Sequence, residues 1–346
     1  MTTLRRHARQ FGALAEAMEQ IAAAAACVAR ALPSRPSGRD EATLAEVAGQ
    51  LPGLMLAMQR AAARLRRDAP SAEIRDLLET ARVTGREIPR VVAALGLVLE
   101  RRSEPLIAPP VPANAATRRA EVLSHGYNLL EVAASGQDQA EAMRDHAYPF
   151  IPLAAESYVE RLQAVWRLLA VRGGAARARF LEVGAGAGSK LFLAAQFFPV
   201  VEGIELDETY LARAELLTNT ARPHRRVTAA DALTFDRYGE FDVIYSYLPI
   251  LDDARQTALE RRIFEQAREG ALIVAPMMRG EFLPQQDRLV GEIVVKGVTG
   301  DALSALASEA QLVGTVAPPL PLKDRGGRRN LVLPAIEALA WAGFAA

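Results

Sequence analysis

The chain has 346 residues, enough for two domains, and carries 41 basic and 41 acidic side chains, which gives a formal net charge of zero. A balanced charge provides no general attraction to nucleic acid or to an anionic membrane. One cysteine and four scattered histidines predict neither a disulfide framework nor a metal site. The sequence shows no signal-peptide pattern and no run judged long enough to cross a membrane, so we expect a cytoplasmic protein.

The N-terminal part of the chain shows the apolar spacing of a helical bundle. Residues 4–32 carry apolar side chains three and four positions apart, the pattern of a narrow heptad seam. This seam fits a helix of an intramolecular bundle, with a homodimer through these helices as the alternative. Pro52 predicts a kink or two short helices within residues 41–67, and Gly85 predicts an interruption of the next helix.

A proline-rich segment divides the chain. Residues 103–114, SEPLIAPPVPAN, are the best linker candidate in the sequence. We therefore predict a helical N-terminal domain over residues 1–112 and a second domain over residues 113–346, with a core at residues 175–334.

Residues 179–210 read as a strand, a glycine turn, an amphipathic helix and a second strand, one half of a nucleotide-binding sheet. Gly184, Gly186 and Gly188 are spaced G-x-G-x-G, whereas the dinucleotide fingerprint is G-x-G-x-x-G. Glu182 ends the first strand, where a carboxylate attracts an ammonium group and repels a pyrophosphate. A nicotinamide-dependent oxidoreductase is one possible function of such a sheet, and these features disfavour it.

Further elements follow toward the C-terminus. Strands are predicted at residues 226–229, 241–250, 271–278 and 291–296, and a helix follows at 301–310. The fourth strand of the sheet, FDVIYSYLPI, ends in polar and aromatic residues at the edge where open α/β sheets bind ligands.

The motif E-V-G-A-G-A-G, followed by G-I-E-L-D, resembles the cofactor-binding motifs of class I S-adenosylmethionine-dependent methyltransferases. The resemblance covers residues 175–275. It implies an α/β fold: a Rossmann-like doubly wound sheet, mostly parallel with an antiparallel terminal strand, here preceded by an all-α domain. It also implies that residues 312–320 and 329–335 supply the last two strands, and that the cofactor is S-adenosyl-L-methionine.

The resemblance and the chemistry of this cofactor assign roles to site residues. Glu182 and the three glycines bind its amino-acid end, because glycines allow close backbone approach and amides suit a carboxylate. Glu205 accepts hydrogen bonds from the ribose hydroxyls, with Asp207 as the nearby competitor. Asp231 is expected to bind the adenine amine beside the backbone of Ala232, and Ser246 completes the predicted cofactor site.

The methyl acceptor and the catalytic residues are not defined by the sequence. Several amino-methyltransferases carry Asp/Asn-Pro-Pro-aromatic after the fourth strand, and this chain has Ser-Tyr-Leu-Pro there. Candidates for a general base are Tyr247, Asp242 and His146. The resemblance also makes Tyr158, in the helix before the first strand, a lid candidate, with packing on the sheet as the alternative role.

The sequence therefore predicts an S-adenosylmethionine-dependent methyltransferase acting on an unidentified acceptor. A small molecule is slightly preferred over a protein, and no nucleic acid or membrane partner is expected. The alternative is a non-catalytic S-adenosylmethionine-binding regulatory or assembly module. An open pocket at the strand end Tyr245–Pro249 favours the enzyme, and a filled one favours the module.

Overall fold

A computed structural model describes most of the chain. The described residues are 2–32, 38–65, 72–100, 103–109, 115–135, 143, 147, 153–219, 225–276, 283, 287–289, 292–315 and 330–344. They divide into two compact units, Met1–Ser103 with Leu312–Ala346, and Glu104–Gln311. The sequence placed the boundary at residue 112 and assigned the C-terminal segment to the second domain, so the observed division differs at both places.

The secondary structure is as follows in chain order. The described helices are α1 Thr2–Ala31, α2 Glu41–Leu65, α3 Ala72–Glu100, α4 Ala115–Ser135, α5 Ala155–Val171, α6 Leu191–Ala194, α7 Glu208–Ala214, α8 Asp253–Gln266, α9 Gly300–Ala310 and α10 Leu333–Trp341. The described strands are β1 Arg179–Val183, β2 Val200–Glu205, β3 Arg225–Ala229, β4 Val243–Ser246, β5 Leu272–Val274, β6 Arg288–Leu289 and β7 Ile293–Val295.

The seam predicted for α1 lies in the core of the helical unit. Leu14, Ile21 and Val28 are fully buried and share one apolar cluster with residues of α2, α3 and α10. By length and composition alone the stretch Arg9–Ala31 could cross a membrane, which the sequence analysis did not anticipate. Its buried stripe packs against the other helices, as in the core helix of a bundle.

Both helices continue through the predicted breaks. α2 continues through Pro52, so the prediction of two short helices was wrong, and the alternative of a kink stays a prediction. α3 continues through Thr84 and Gly85, so the predicted interruption was wrong. A proline inside a helix costs about 3 kcal/mol, and burial of the surrounding apolar face offsets this cost. Thr84 is fully buried and its hydroxyl accepts a 3.2 Å hydrogen bond from the amide of Leu331. Gly85 lies against Met58, where a Cβ atom would be 3.3 Å from the Met58 Cε atom.

The C-terminal segment packs with the helices rather than in the sheet. Residues 329–335 were predicted as a strand, whereas Leu333–Trp341 forms α10 and Val332, Ala335 and Leu339 enter the helical core. Their spacing of three and four positions is that of a helix, and the sequence analysis misread this period. The described part of the other predicted strand, residues 312–315, is irregular, and the rest lies outside the described residues.

The second unit contains a seven-stranded sheet of order β3-β2-β1-β4-β5-β7-β6. Neighbouring strands from β3 to β5 are parallel, and β7 is antiparallel to both β5 and β6. The strand order reverses between β1 and β4, the position at which such sheets bind ligands. The predicted fold class, a mostly parallel Rossmann-like sheet with an antiparallel terminal strand after a helical domain, is confirmed.

The first residues of the predicted linker are fixed to the second unit by Arg167 on α5. This side chain is only 1% exposed. Its guanidinium donates to the carbonyl oxygens of Glu104 at 2.7 Å, Pro105 at 2.9 Å and Ala310 at 3.0 Å. A buried guanidinium needs such partners, because an unsatisfied buried charge is costly. These hydrogen bonds hold the two ends of the second unit, near Glu104 and Ala310, against α5.

Candidate cofactor site

A cavity lies at the carboxyl ends of β1, β2 and β4, next to the point where the strand order reverses. Its walls come from the loop after β1, these strand ends, α4 and α5. The enclosed volume is about 120 Å³. Pockets that bury a drug-sized ligand measure roughly 300–1,000 Å³, so this cavity encloses only part of a nucleoside-sized ligand.

The loop after β1 has the conformation that its glycines permit. Gly184, Gly186 and Gly188 have φ values of +73°, +55° and +75°, a region that other residues rarely adopt. A Cβ atom on Gly184 would also lie 2.6 Å from the Cβ atom of Pro249, beyond the end of β4. Gly184 thus allows the loop and the end of β4 to meet at the cavity.

The helix predicted after this loop is shorter than expected. α6 spans only Leu191–Ala194, and turns lead from there to β2. Phe197 and Phe198 are buried, and the following Pro199 cannot continue a helix. The amphipathic pattern therefore reflects side chains buried along turns.

Glu205 is held by backbone amides at the end of β2. Its Oε2 atom accepts from Gly186 N at 2.8 Å, and its Oε1 atom accepts from Leu206 N at 2.7 Å and from Asp207 N at 2.9 Å. Burial raises the pKa of this carboxyl, and the three amide hydrogen bonds lower it. A carboxylate offers about four acceptor positions, so one remains on Oε2 for a ligand.

Asp207, the competitor of Glu205, has a structural role at the start of a helix. Asp207 is the N-cap of α7, and its Oδ1 atom accepts a 2.8 Å hydrogen bond from Thr209 N. An aspartate before a helix commonly takes this role. Both residues contribute to the cavity wall, and Glu205 is the one joined to the glycine loop.

Glu182 is a buried carboxyl group in the cavity wall. It is 7% exposed, and the hydroxyl of Tyr158 donates to its Oε2 atom at 3.3 Å. Burial is the main cause that raises its pKa to about 8, and the nearby Lys190 opposes this shift. Tyr158, predicted as a lid candidate, is fully buried against the site.

Sequence reasoning missed the contacts that join α4 to the glycine loop. Lys190 forms a buried ion pair with Glu131 on α4. The Ser189 hydroxyl donates to Glu131 Oε1 at 2.6 Å, and the Tyr127 hydroxyl donates to the Ser189 carbonyl at 2.7 Å. Lysine is rare in this arginine-rich sequence, and a lysine directly after the glycine turn was a signal that could have identified the site.

The end of β4 presents tyrosines to the cavity. Tyr245 and Tyr247 line it and Ser246 between them does not, as the alternation of side chains along a strand requires. The Ser246 hydroxyl is buried without a hydrogen bond, as is the Tyr245 hydroxyl. The rings of Tyr245 and Tyr158 meet edge to face at 4.8 Å. Leu248 has a φ of +44°, a strained conformation that often marks a functional site.

The prediction of Asp242 as a general base was wrong, because it lies at the opposite edge of the sheet. It precedes β4, accepts a 2.7 Å hydrogen bond from Arg179 N at the start of β1, and pairs with Arg268. At roughly 3.3 Å per residue, about 13 Å of strand separate it from Ser246 at the ligand-binding edge. His146, another candidate, lies outside the described residues.

The predicted adenine-binding residues lie beyond β3 and do not line the enclosed cavity. The Oδ1 atom of Asp231 accepts from Leu233 N at 2.8 Å within a turn, and the Ala232 carbonyl accepts from the Tyr238 hydroxyl at 2.9 Å. Asp231 therefore supports the loop, and its role toward a ligand stays a prediction. Within the described ranges, no cluster of three histidine, cysteine or acidic side chains could hold a metal ion.

The strand order, the antiparallel β7 and the glycine loop at the reversal point are those of the Rossmann-like fold that the resemblance to class I methyltransferases predicted. No family model matches the sequence, and no curated protein matches it. Among solved structures, an amino pentose methyltransferase from Micromonospora echinaspora is 22% identical, with a TM-score of 0.28. The match covers 52% of this chain and 63% of that one.

Two other solved structures give similar values. A sugar N-methyltransferase from Streptoalloteichus is 23% identical over 51% of this chain and 61% of its own, with a TM-score of 0.31. An RNA methyltransferase from Salinibacter ruber is 22% identical over 38% of this chain and 86% of its own, with a TM-score of 0.29. This chain thus spans less than two thirds of the two sugar methyltransferases. At TM-scores this low, the fold assignment rests on the strand order of the chain itself.

Proposed function

We propose that the chain is an S-adenosylmethionine-dependent methyltransferase that acts on a small-molecule acceptor. The observation that carries the proposal is the hydrogen bond of 2.8 Å between Gly186 N and Glu205 Oε2. It brings a glycine loop with three positive φ angles and the acid of the second strand to one cavity. A nucleoside bound at this edge would meet both features.

The residues of the site fit the separate parts of this cofactor. Glu182 suits the α-ammonium group, because it is a buried carboxyl with one hydrogen-bond donor at 3.3 Å. The amides of the glycine loop suit the carboxylate. Glu205 has one acceptor position left for a ribose hydroxyl, so a second direct hydrogen bond requires the Gly186 amide to move. Asp231 and the backbone of Ala232 are the proposed adenine contacts.

The strand end after β4 supports an enzyme over a binding module. Tyr245, Tyr247, Leu248 and Pro249 border the same cavity as the proposed cofactor residues, which fits an acceptor held at this strand end beside the cofactor. The bound cofactor supplies a methyl group that its sulfonium already activates, and the chain's task is to position the acceptor and exclude water. Tyr247 is the described candidate for contacting the acceptor or taking its proton. Ser246 can take part only if its buried hydroxyl finds a partner on the ligand.

Two measurements test this proposal. Calorimetric titration with S-adenosylmethionine, S-adenosylhomocysteine and NAD should show binding of the first two only. Incubation with methyl-labelled S-adenosylmethionine and panels of small amines, phenols and carboxylic acids should then produce S-adenosylhomocysteine with at least one panel. Binding without product from these panels, or from protein and RNA preparations added to the same assay, would support the non-catalytic module. Binding of NAD alone would overturn the cofactor assignment.

A further inference from the structure

Within the described part of the cavity wall, buried carboxyl groups outnumber ammonium groups. Glu131, Glu182, Asp207 and Lys190 are 2%, 7%, 2% and 7% exposed, and all four line the cavity. Asp207 and the half-buried Glu205 accept hydrogen bonds from backbone amides. Glu131 and Glu182 are left with one ammonium group between them, that of Lys190. An uncompensated charge in such a place is costly, and a carboxyl group avoids this cost by keeping its proton.

The hydrogen bonds show which carboxyl group is in excess. Glu131 has donors at both oxygens, the Lys190 ammonium at Oε2 and the Ser189 hydroxyl at Oε1, the latter at 2.6 Å. For Glu182 the described donor is the Tyr158 hydroxyl, at 3.3 Å. Because Glu131 holds the lysine, Glu182 is the carboxyl group that has no counter-charge in direct contact among the residues that the structure describes.

We propose that Glu182 carries a proton in the empty site and releases it when the α-ammonium group of the cofactor binds there. Glu182 loses its O–H bond, the proton passes to the buffer, and the carboxylate accepts hydrogen bonds from the incoming ammonium. One positive charge enters as one leaves, so the charge of the buried cluster is conserved. This inference rests on the proposed function, because it assumes a ligand with an α-amino-acid end.

The surroundings of Glu182 agree with this exchange. Titratable groups face it from α4, α5, the glycine loop, β2 and β4, namely Tyr127, Glu131, Tyr158, Lys190, Glu205 and Tyr245. Burial is the largest influence and raises the pKa of Glu182 to about 8. Lys190 and the Tyr158 hydrogen bond lower this pKa, whereas Glu131 and Glu205 raise it.

The test is calorimetric titration of the full chain with S-adenosylhomocysteine in two buffers of different ionisation enthalpy. The dependence of the heat on the buffer gives the number of protons released. We expect release of about one proton per ligand at about pH 7. The release should decrease as the pH rises past about 8, where Glu182 is already ionised. At still higher pH the free α-amino group of the ligand has itself lost its proton, so binding as an ammonium group should take up protons. Glu182→Gln should bind without proton release. Glu208→Gln, an exposed carboxyl change on the adjacent α7, should release as many protons as the wild type.

A second variant keeps Glu182 in place. In Glu131→Gln, Lys190 is free to pair with Glu182, which then ionises before the ligand arrives. Proton release at about pH 7 should therefore fall to less than about half of the wild-type value. 5′-Methylthioadenosine, which lacks the amino-acid end, should bind without releasing a proton.

The outcomes separate this inference from the proposed function. Binding of S-adenosylhomocysteine with no proton release at about pH 7, or with equal release in Glu131→Gln and the wild type, would overturn the inference alone. Equal release with 5′-methylthioadenosine would also overturn it. No binding of S-adenosylmethionine or S-adenosylhomocysteine would overturn the proposed function, and the inference with it.

Discussion

Gly186 donates its amide hydrogen to Glu205 across 2.8 Å, and this bond ties the loop after β1 to the end of β2. The loop reaches this position because its three glycines have positive φ angles. Two further amides, of Leu206 and Asp207, hold the same carboxylate from the residues that directly follow β2. The site is therefore largely formed by backbone groups before any ligand binds, which reduces the ordering cost of binding.

Gly184→Ala should destabilise the second unit. The φ of +73° is unfavourable for alanine, and the new Cβ atom would lie 2.6 Å from Pro249 Cβ. We expect the free energy of unfolding to fall by about 2–4 kcal/mol. Gly126→Ala is the matched control, because Gly126 lies within α4 with nothing within 4 Å of a Cβ atom. It should stabilise the unit by up to about 1 kcal/mol.

These stabilities can be measured by urea unfolding followed by tryptophan fluorescence. The chain has 2 tryptophans, so Trp341→Phe leaves the buried Trp166 of the second unit as the reporter. Equal unfolding midpoints for Gly184→Ala and Gly126→Ala would show that the loop does not require glycine at position 184.

Arg167→Met should also destabilise the second unit. The substitution removes donors from the carbonyls of Glu104, Pro105 and Ala310. Carbonyl groups left buried without a donor should lower the free energy of unfolding by about 2–4 kcal/mol. Arg237→Met is the comparison, because the Arg237–Glu240 pair is 39% and 41% exposed and should contribute less than about 1 kcal/mol. Similar losses of unfolding free energy for the two variants, measured by Trp166 fluorescence, would contradict the role of Arg167 as a buried donor to the three carbonyl groups.

The pH dependence of stability should report on Glu182. Its pKa in the folded protein, about 8, is above the ordinary value of 4.5, so the native state binds more protons than the unfolded state between these values. The contribution of Glu182 to stability is therefore fully present below about pH 4.5 and is lost as the pH rises toward 8.

Glu182→Gln has no proton to lose, so its stability relative to the wild type should increase between about pH 5 and pH 8. Glu205, whose pKa is also raised by burial, is present in both proteins and cancels in the difference. Urea midpoints at several pH values check this prediction. A difference that does not change with pH would contradict the buried, protonated state of Glu182.

Local sequence patterns were sufficient for the parts of the structure that local forces determine. The G-x-G-x-G spacing identified the loop, and the position of Glu205 at the end of a strand identified the acid that meets it. The same patterns failed where packing decides. Pro52 and Gly85 lie within continuous helices because apolar residues before and after each of them in the sequence are buried in the core. Residues 333–335, the start of α10, were read as the end of a strand, although Val332, Ala335 and Leu339 have the spacing of a helix and enter the core of the bundle.

The site could be predicted only in part for a similar reason. Glu131 is 59 positions from Lys190 in the sequence, so no spacing rule relates the two residues. Asp242 was already predicted near the start of the fourth strand, and the length of the strand alone puts it about 13 Å from the ligand-binding end. Its candidacy as a general base could therefore have been rejected from the sequence. Tyr245 and Ser246 are neighbours, and only the alternation within β4 shows which of them borders the cavity.

The most direct test of the cofactor site is the affinity of Glu205→Ala for S-adenosylhomocysteine, measured by calorimetry beside the wild type and Glu208→Gln. Loss of the carboxylate removes the proposed ribose acceptor and the hydrogen-bond acceptor of the Gly186 amide. We expect the dissociation constant to rise by about ten- to a hundred-fold, while Glu208→Gln stays within about twofold of the wild type. Wild-type affinity in Glu205→Ala, with Trp166 fluorescence showing a folded unit, would contradict the site described here.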